Sequence, residues 1–497
     1  MFPKIAAAII VLAFAAFLQR RRRVLPFAAV LLLTSIFFSR IYWRTGSFTL
    51  RFESLACLLL FMAYVQDVWK HRVNPAPDAK TALVLALFPA MVIPSAFISP
   101  APWLSLMKTL IYIPYLMAFL AMVHFLRRKG ALAAAWDCFY AAGALALGIS
   151  VVGLVLFMAG IDLGMVRMAL GTLWLRGTFV IPNILGSTTV LILAAGFLRL
   201  VAPGSGQRPR IPLLGLVLSS ICVLTCMTMS AWVCAVLGVA GAFLYGFLRA
   251  DRRKAFLGLA VVGLAVLATY AATSNIAARL GPIPAGRSLG EFGEPRLDVS
   301  WKPTPLYNRF NYWTKTNPVV IREQVPVRQK PRRPGDAPGA KAKPATKTVL
   351  HIIPAGFSLN NRRTTAFEAL KDWTSSPIIG RGTESFAISR NNKPTAYISS
   401  TWVSILHDWG LVGLGLHLAV LVLAFLGMVR TYRRAPNPEA KARAFAFLLW
   451  LGLSTVLYQA ATTIQISIFW VLLALFVAAS YPSPEDKGPE VSAPAKP

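Results

Sequence analysis

Apolar runs of roughly 16–25 residues recur from end to end of this chain, and a run of that length is what a helix needs to cross about 30 Å of hydrocarbon. Short polar or basic clusters separate the runs. Composition agrees, with 56% hydrophobic residues, only 14% charged ones and a mean hydropathy of +0.60. The 497 residues are therefore expected to form an all-α polytopic membrane protein with about 12–14 transmembrane helices, rather than two or three soluble domains.

The expected spans are Phe2–Leu18, Val24–Phe38, Ser54–Trp69, Thr81–Ile98, Trp103–Leu126, Ala131–Met158, Ile184–Leu200, two within Ile211–Leu248, Ala255–Thr273, Ser399–Val429, Ala444–Tyr458 and Ile464–Tyr481. The block Ile211–Leu248 is too long for one crossing and is expected to divide near Thr228–Ser230. The basic clusters Arg20–Arg23, Lys70–Arg72, Arg127–Lys129, Arg249–Lys254 and Arg430–Arg443 all fall on one side of this walk, which the positive-inside rule makes cytoplasmic. At the N-terminus the arginines follow the apolar run, whereas a secretory signal carries its charge before it, so a retained first helix is expected. This divides the chain into N-terminal helices over 1–273, a long periplasmic loop over 274–398, C-terminal helices over 399–481 and a disordered Pro/Glu/Lys tail over 482–497.

The net charge of +32 has two sources. Helix flanks account for one without any nucleic-acid partner. The other is the loop Ser274–Ile398, with 20 Lys/Arg against 8 Asp/Glu. Long exported loops escape the positive-inside rule, so this surplus points to an anionic ligand. Within the loop, Val325–Lys347 is Pro/Lys/Ala-rich and expected to be disordered, while Trp301, Tyr307, Phe310, Tyr312, Trp313, Phe367 and Trp373 could pack a small lid. The five cysteines all lie in apolar runs and read as small buried residues rather than disulfides or metal ligands.

The chain contains no Walker A, no HExxH, no paired-Cys zinc spacing and no DxD-like carboxylate pair in an outer loop, so no metal or cofactor is expected. Gly380-Arg-Gly382 reads as a tight turn sooner than as a nucleotide cradle. Asn183 after Pro182 is a good N-cap for the following helix, whose N-terminus would offer free N–H groups to an anion, with Arg176 close enough in sequence to join it. Snorkelling to lipid headgroups is the equal alternative for Arg176. Inside the spans, Lys108, His124 and Asp137 sit near helix ends and His417 stands mid-helix. Ion-coupled transporters place several such groups together near mid-span, so their scarcity weighs against transport.

Arg176…Pro182-Asn183…Gly186, the turn Pro377-Ile-Ile-Gly380-Arg-Gly382…Phe386 and Trp402-Val-Ser-Ile-Leu406-His-Asp408-Trp-Gly410-Leu-Val-Gly413 resemble the O-antigen ligase and O-antigen polymerase superfamily. The helix count and the single long loop before the last helices resemble it as well. The resemblance implies a GT-C-like glycosyltransferase of the bacterial inner membrane. Its substrates would be undecaprenyl-diphosphate-linked glycans such as O-antigen or exopolysaccharide, handled at the outer face alongside other polysaccharide-export proteins. Two positions depart from the family's pattern. Its last motif usually opens with His-Asn where this chain has Ser399-Ser400, and Ser230-Ala231 stands where Ser-Arg is common. His407 is no obvious substitute, being eight residues on, about 12 Å along a helix and about 80° round it.

On this reading Arg176, Asn183, Arg362, Arg363, Arg381 and Ser399 are the substrate-binding candidates, the arginines neutralising the diphosphate leaving group. Asp408, Glu384 and His351 are the candidate bases. A non-catalytic subunit or a transporter of lipid-linked glycans is the alternative from another class. The related cell-wall polymerases of the shape and division family would need an essential outer-loop aspartate, for which Asp298 and Asp372 are available.

Overall fold

The computed structural model describes residues 24–38, 42–45, 48–71, 81, 93–110, 112–128, 130–161, 163–169, 172–179, 182–202, 209–226, 228–279, 319–326, 346–353, 357–386, 398, 400–457 and 467–481. Helices dominate. In chain order they are α1 (Val24–Ser35, extended by a 3-10 turn to Phe38), α2 (Phe52–His71), α3 (Ile93–Ile98), α4 (Pro102–Leu110), α5 (Ile113–Leu126), α6 (Ala131–Met158), α7 (Pro182–Val201), α8 (Arg210–Thr225), α9 (Met229–Arg249), α10 (Arg252–Arg279), α11 (Phe357–Trp373), α12 (Thr401–Arg434), α13 (Pro438–Leu457) and α14 (Ser467–Ala479). Among the described residues, eight helices, counting α4 and α5 as one, are long and apolar enough to cross a membrane, and three shorter ones are apolar too. The protein is a helical, multi-pass membrane protein.

The expected break in the long apolar block falls between Thr225 and Met229, where Thr228 takes an extended conformation. Two expectations change. The span from Trp103 is two helices meeting around Tyr112, with Pro114 in the first turn of α5. A proline there has no N–H to give the preceding turn, so the ladder restarts. Among the described residues strands are present as well, in three antiparallel pairs: β1–β2 (Tyr42–Thr45, Phe48–Arg51), β3–β4 (Val166–Ala169, Thr172–Leu175) and β5–β6 (Val319–Pro326, Thr346–Ile353). The ends of the stretch expected to be disordered are thus ordered, since Val325 pairs with Lys347 and Pro326 with Thr346. Residues 327–345 lie outside the described residues, as do the expected first span Phe2–Leu18, most of Thr81–Ile98, the tail and the aromatics from Trp301 to Trp313.

α7 is the axis of the bundle, buried along nearly all its length, and α10 lies at the periphery. Aromatic side chains fill the space between α6, α7 and α13. Trp450 packs on Trp136 and Phe139 with ring centroids 4.7 and 4.9 Å away, and its indole N–H donates to the Leu191 carbonyl at 2.9 Å. In lipid no hydrophobic force pulls helices together, so such close packing and buried hydrogen bonds hold the bundle.

Contacts between helix ends sort the two sides. His124 near the end of α5 meets Asp67 near the end of α2 at 3.1 Å, and Arg128 binds the same carboxylate. Tyr245 in α9 stacks on Phe445 in α13, and Trp136 in α6 lies against Phe447. These contacts bring the basic termini of α2, α5, α9 and α12 to one end. At the other end Thr178 donates to the Phe37 carbonyl, Thr228 to the Asn183 side chain, and β1–β2 and β3–β4 join their helices.

Candidate active site

The polar cluster of interest sits at that second end, where α12 is broken. Ser400 caps α12, its hydroxyl accepting from the Val403 N–H at 3.4 Å. The helix then stops at Gly410, whose backbone (φ 68°, ψ −168°) is open only to glycine. A continuous helix would pair the N–H groups of Leu411 and Val412 with the carbonyls of His407 and Asp408. Instead the loop after α11 enters the gap. Leu411 and Val412 donate to the carbonyls of Pro377 and Ile378 at 2.9 and 3.3 Å. The freed carbonyls of His407 and Asp408 accept from Arg381 and Gly382 at 2.8 and 3.0 Å. Four broken helix groups and four loop groups satisfy one another, as buried backbone requires.

The turn read in the sequence as Gly380-Arg-Gly382 is thus a clasp on a helix break. Gly380 lies so close that a Cβ there would be 2.5 Å from the Asp408 carbonyl and the Gly410 nitrogen. Thr383 seats the next stretch on α4: its hydroxyl bonds Thr109 at 3.1 Å and accepts from the Trp409 indole at 3.2 Å, and its carbonyl accepts from Ser105 at 3.1 Å. Beneath the loop, Ala369, Phe386 and Ile398 form a small core with Val403 that docks α11 on α12.

The clasp brings ionisable groups together. His407, with no exposed side-chain surface, faces a carboxylate with each ring nitrogen: Nδ1 is 2.8 Å from Asp408 Oδ1 and Nε2 is 3.0 Å from Asp372 Oδ2. The edge of the Phe386 ring completes its enclosure, 5.6 Å between centroids. Asp408 Oδ2 accepts the Glu384 N–H at 3.0 Å and the Ser404 hydroxyl at 3.5 Å. Asp372 Oδ1 lies 3.4 Å from Arg381 Nη2, and Glu384 pairs with Lys108 of α4 at 2.8 Å. With an imidazolium at His407, three cations balance three carboxylates among the described residues of the cluster. The Arg381 Nε is buried and has no hydrogen-bond partner among the described residues, so this guanidinium is only partly satisfied.

Of the residues singled out in the sequence, Asp408, Glu384 and Arg381 meet here. Arg362 and Arg363 lie on α11 about 14–15 Å along the helix from Asp372, and Arg363 covers the Phe367 ring. Arg176 is elsewhere, its Nε donating to the Gly164 carbonyl at 2.9 Å beside β3–β4. Asn183 is not the N-cap of α7. Pro182 opens the helix, as suits a residue without an N–H, and the Asn183 side chain accepts from Thr228 across to α9. His351 stands on β6 opposite Ile321, and Ser399 lies outside the described residues.

His407, set aside in the sequence, and Asp372 and Lys108 are the members that sequence reasoning missed or underweighted. The available signal was cost: a lysine and a His-Asp pair inside apolar helices each need a partner. A scan against protein-family models finds no match for this chain, and no curated protein matches it.

Proposed function

We propose that the protein is an integral membrane glycosyltransferase, GT-C-like, that polymerises or ligates polyprenyl-diphosphate-linked glycans at the outer face of the inner membrane. The observation that carries this reading is the partly exposed Arg381, held by its backbone on the clasp at the end of the bundle away from the basic helix termini. A guanidinium whose side chain is partly exposed, and whose Nη2 is only loosely held by Asp372 at 3.4 Å, suits a diphosphate, which it can bind with two parallel hydrogen bonds. Polyprenyl diphosphate is already a good leaving group, so charge placement can supply much of the rate without a metal. The resemblance of the Arg176, Pro377–Phe386 and Trp402–Gly413 motifs to the O-antigen ligase and polymerase superfamily points the same way.

The broken α12 gives the transporter reading its one supporting observation, since discontinuous membrane helices often line substrate sites. One comparison separates the two. In cells whose own copy is deleted, Arg381→Ala and Arg381→Lys should both lower high-molecular-weight glycan at least tenfold at equal membrane abundance, because lysine keeps the charge but loses the planar fork. Accumulated short lipid-linked glycan outside the membrane then marks a failed transferase, and accumulation inside marks a failed transporter. Wild-type glycan in both variants would remove Arg381 from the substrate site.

Orientation has its own test. Reporters fused after Arg253 and Arg434 should read cytoplasm and one at Lys341 the exterior. A cytoplasmic signal at Lys341 would invert the protein and end outer-face chemistry.

A further inference from the structure

We propose that Asp372 is the catalytic base of this site, taking the proton of the acceptor hydroxyl, with His407 and Asp408 as positioning residues behind it. The inference rests on the glycosyltransferase reading and names the group that would replace the absent histidine of that reading.

Access selects Asp372. Three carboxylates belong to the cluster, with side-chain exposures of 8% for Asp408, 11% for Glu384 and 36% for Asp372. Asp408 is closed: one oxygen holds His407 and the other accepts the Glu384 N–H and the Ser404 hydroxyl. Glu384 is spent on Lys108 at 2.8 Å. Asp372, the most exposed of the three, gives Oδ2 to His407, while its Oδ1 lies 3.4 Å from Arg381 Nη2. That separation exceeds the roughly 2.7–2.9 Å of a strong charged hydrogen bond, so Oδ1 can accept another proton donor.

The groups behind Asp372 fix its geometry and its charge. Imidazole nitrogens facing two carboxylates require a proton on each N–O contact, otherwise lone pairs oppose each other. The buried ring therefore holds Asp372 in one orientation, and Asp408 holds the ring. Asp372, His407, Asp408 and Arg381 together are then neutral. In the transfer step the acceptor oxygen bonds to the anomeric carbon of the donor sugar. The bond from that carbon to the diphosphate oxygen breaks and its electron pair stays on the phosphate. The hydroxyl proton passes to Asp372 Oδ1. The four-residue cluster gains one positive charge as the polyprenyl diphosphate departs with one more negative charge, and the exposed face of Asp372 returns the proton to water. A diphosphate that draws Arg381 to itself also draws it from Oδ1, so donor binding would open the base.

The test uses membranes of cells expressing the full chain, with undecaprenyl-diphosphate-linked oligosaccharide extracted from the same cells as probe. Asp372→Asn keeps the size and the hydrogen bond to His407 but removes the base. It should lower kcat at least a hundredfold, within the usual range for a general base, with KM for the lipid-linked probe changed less than threefold. The acid limb of its pH–rate profile should vanish. His407→Gln should displace that limb rather than abolish it, which a merely structural role would not do. If Asp372→Asn fails to accumulate, Asp372→Glu serves: it keeps charge, moves the oxygen, and should cost tenfold or more with a shifted limb. Wild-type kcat and pH profile in either variant would overturn Asp372 as base while leaving the transferase reading in place. Wild-type membranes that neither elongate the probe nor transfer its glycan to another acceptor would overturn the transferase reading itself, and the base with it.

Discussion

Replacing Gly410 with alanine is expected to leave little correctly folded protein, whereas Gly415→Ala, further along the same helix, should be neutral or mildly stabilising. At Gly410 a Cβ would stand 2.2 Å from the Ile378 oxygen, 2.4 Å from the Ile378 carbonyl carbon and 2.6 Å from the Gly380 nitrogen. All three are backbone atoms of the clasp, and none can rotate aside. The glycine-only backbone at Gly410 adds about 1–3 kcal/mol of strain for any other residue. Expelling the loop would also strand four backbone hydrogen bonds, each worth about 0.5–1.5 kcal/mol net and more when left unmade in an apolar setting. The total rivals the whole stability of a typical domain, roughly 5–15 kcal/mol. At Gly415 nothing lies within 4 Å of the new Cβ, and alanine is the better helix former by roughly 0.5–1 kcal/mol. Melting temperatures in detergent and trypsin cleavage after Arg381 report the difference. Gly410→Ala that melts and resists trypsin like wild type would mean the loop does not depend on the break.

The same contrast shows what was legible in the sequence. Span positions follow from apolar length, a one-dimensional property, and so Ala131–Met158 and the division near Thr228 could be read directly. The break at Gly410 could not. Its cause is a partner loop more than twenty residues upstream, and the residues that follow Gly410 continue the apolar run. His407 precedes the break, and its distance and angle along the helix from the Ser399 position, taken alone, made it look irrelevant. Its importance arises from Asp372 on another helix, a pairing no periodicity encodes. Arg381 and Asp408 were legible because a glycine-flanked arginine and a helical aspartate are conspicuous in a chain so poor in charge. Their mutual arrangement was not.

Asp408→Asn should be chiefly a stability defect, in contrast to the turnover defect expected at Asp372. Asp408 receives hydrogen bonds on both oxygens, from the His407 Nδ1–H and from the Glu384 N–H. An asparagine has one acceptor and one donor end, so in either orientation its NH2 meets a donor. The ring of His407, wholly buried, then lacks one of its two carboxylates. Leaving a buried charge uncompensated costs about 3–5 kcal/mol, though replacing the whole set by apolar groups can cost far less. The partner variant is therefore His407→Leu. If Asp408 matters because it holds His407, Asp408→Asn should cost several kcal/mol in the wild-type background and at most about 1–2 kcal/mol once His407 is leucine, a coupling well beyond the usual error for independent sites. The residual cost is the asparagine NH2, left facing the leucine once its oxygen keeps the Glu384 N–H. Melting of the four proteins of this cycle in one detergent provides the measurement. Equal losses in both backgrounds would show that Asp408 serves the clasp through Glu384 alone, and that His407 is anchored from the Asp372 side.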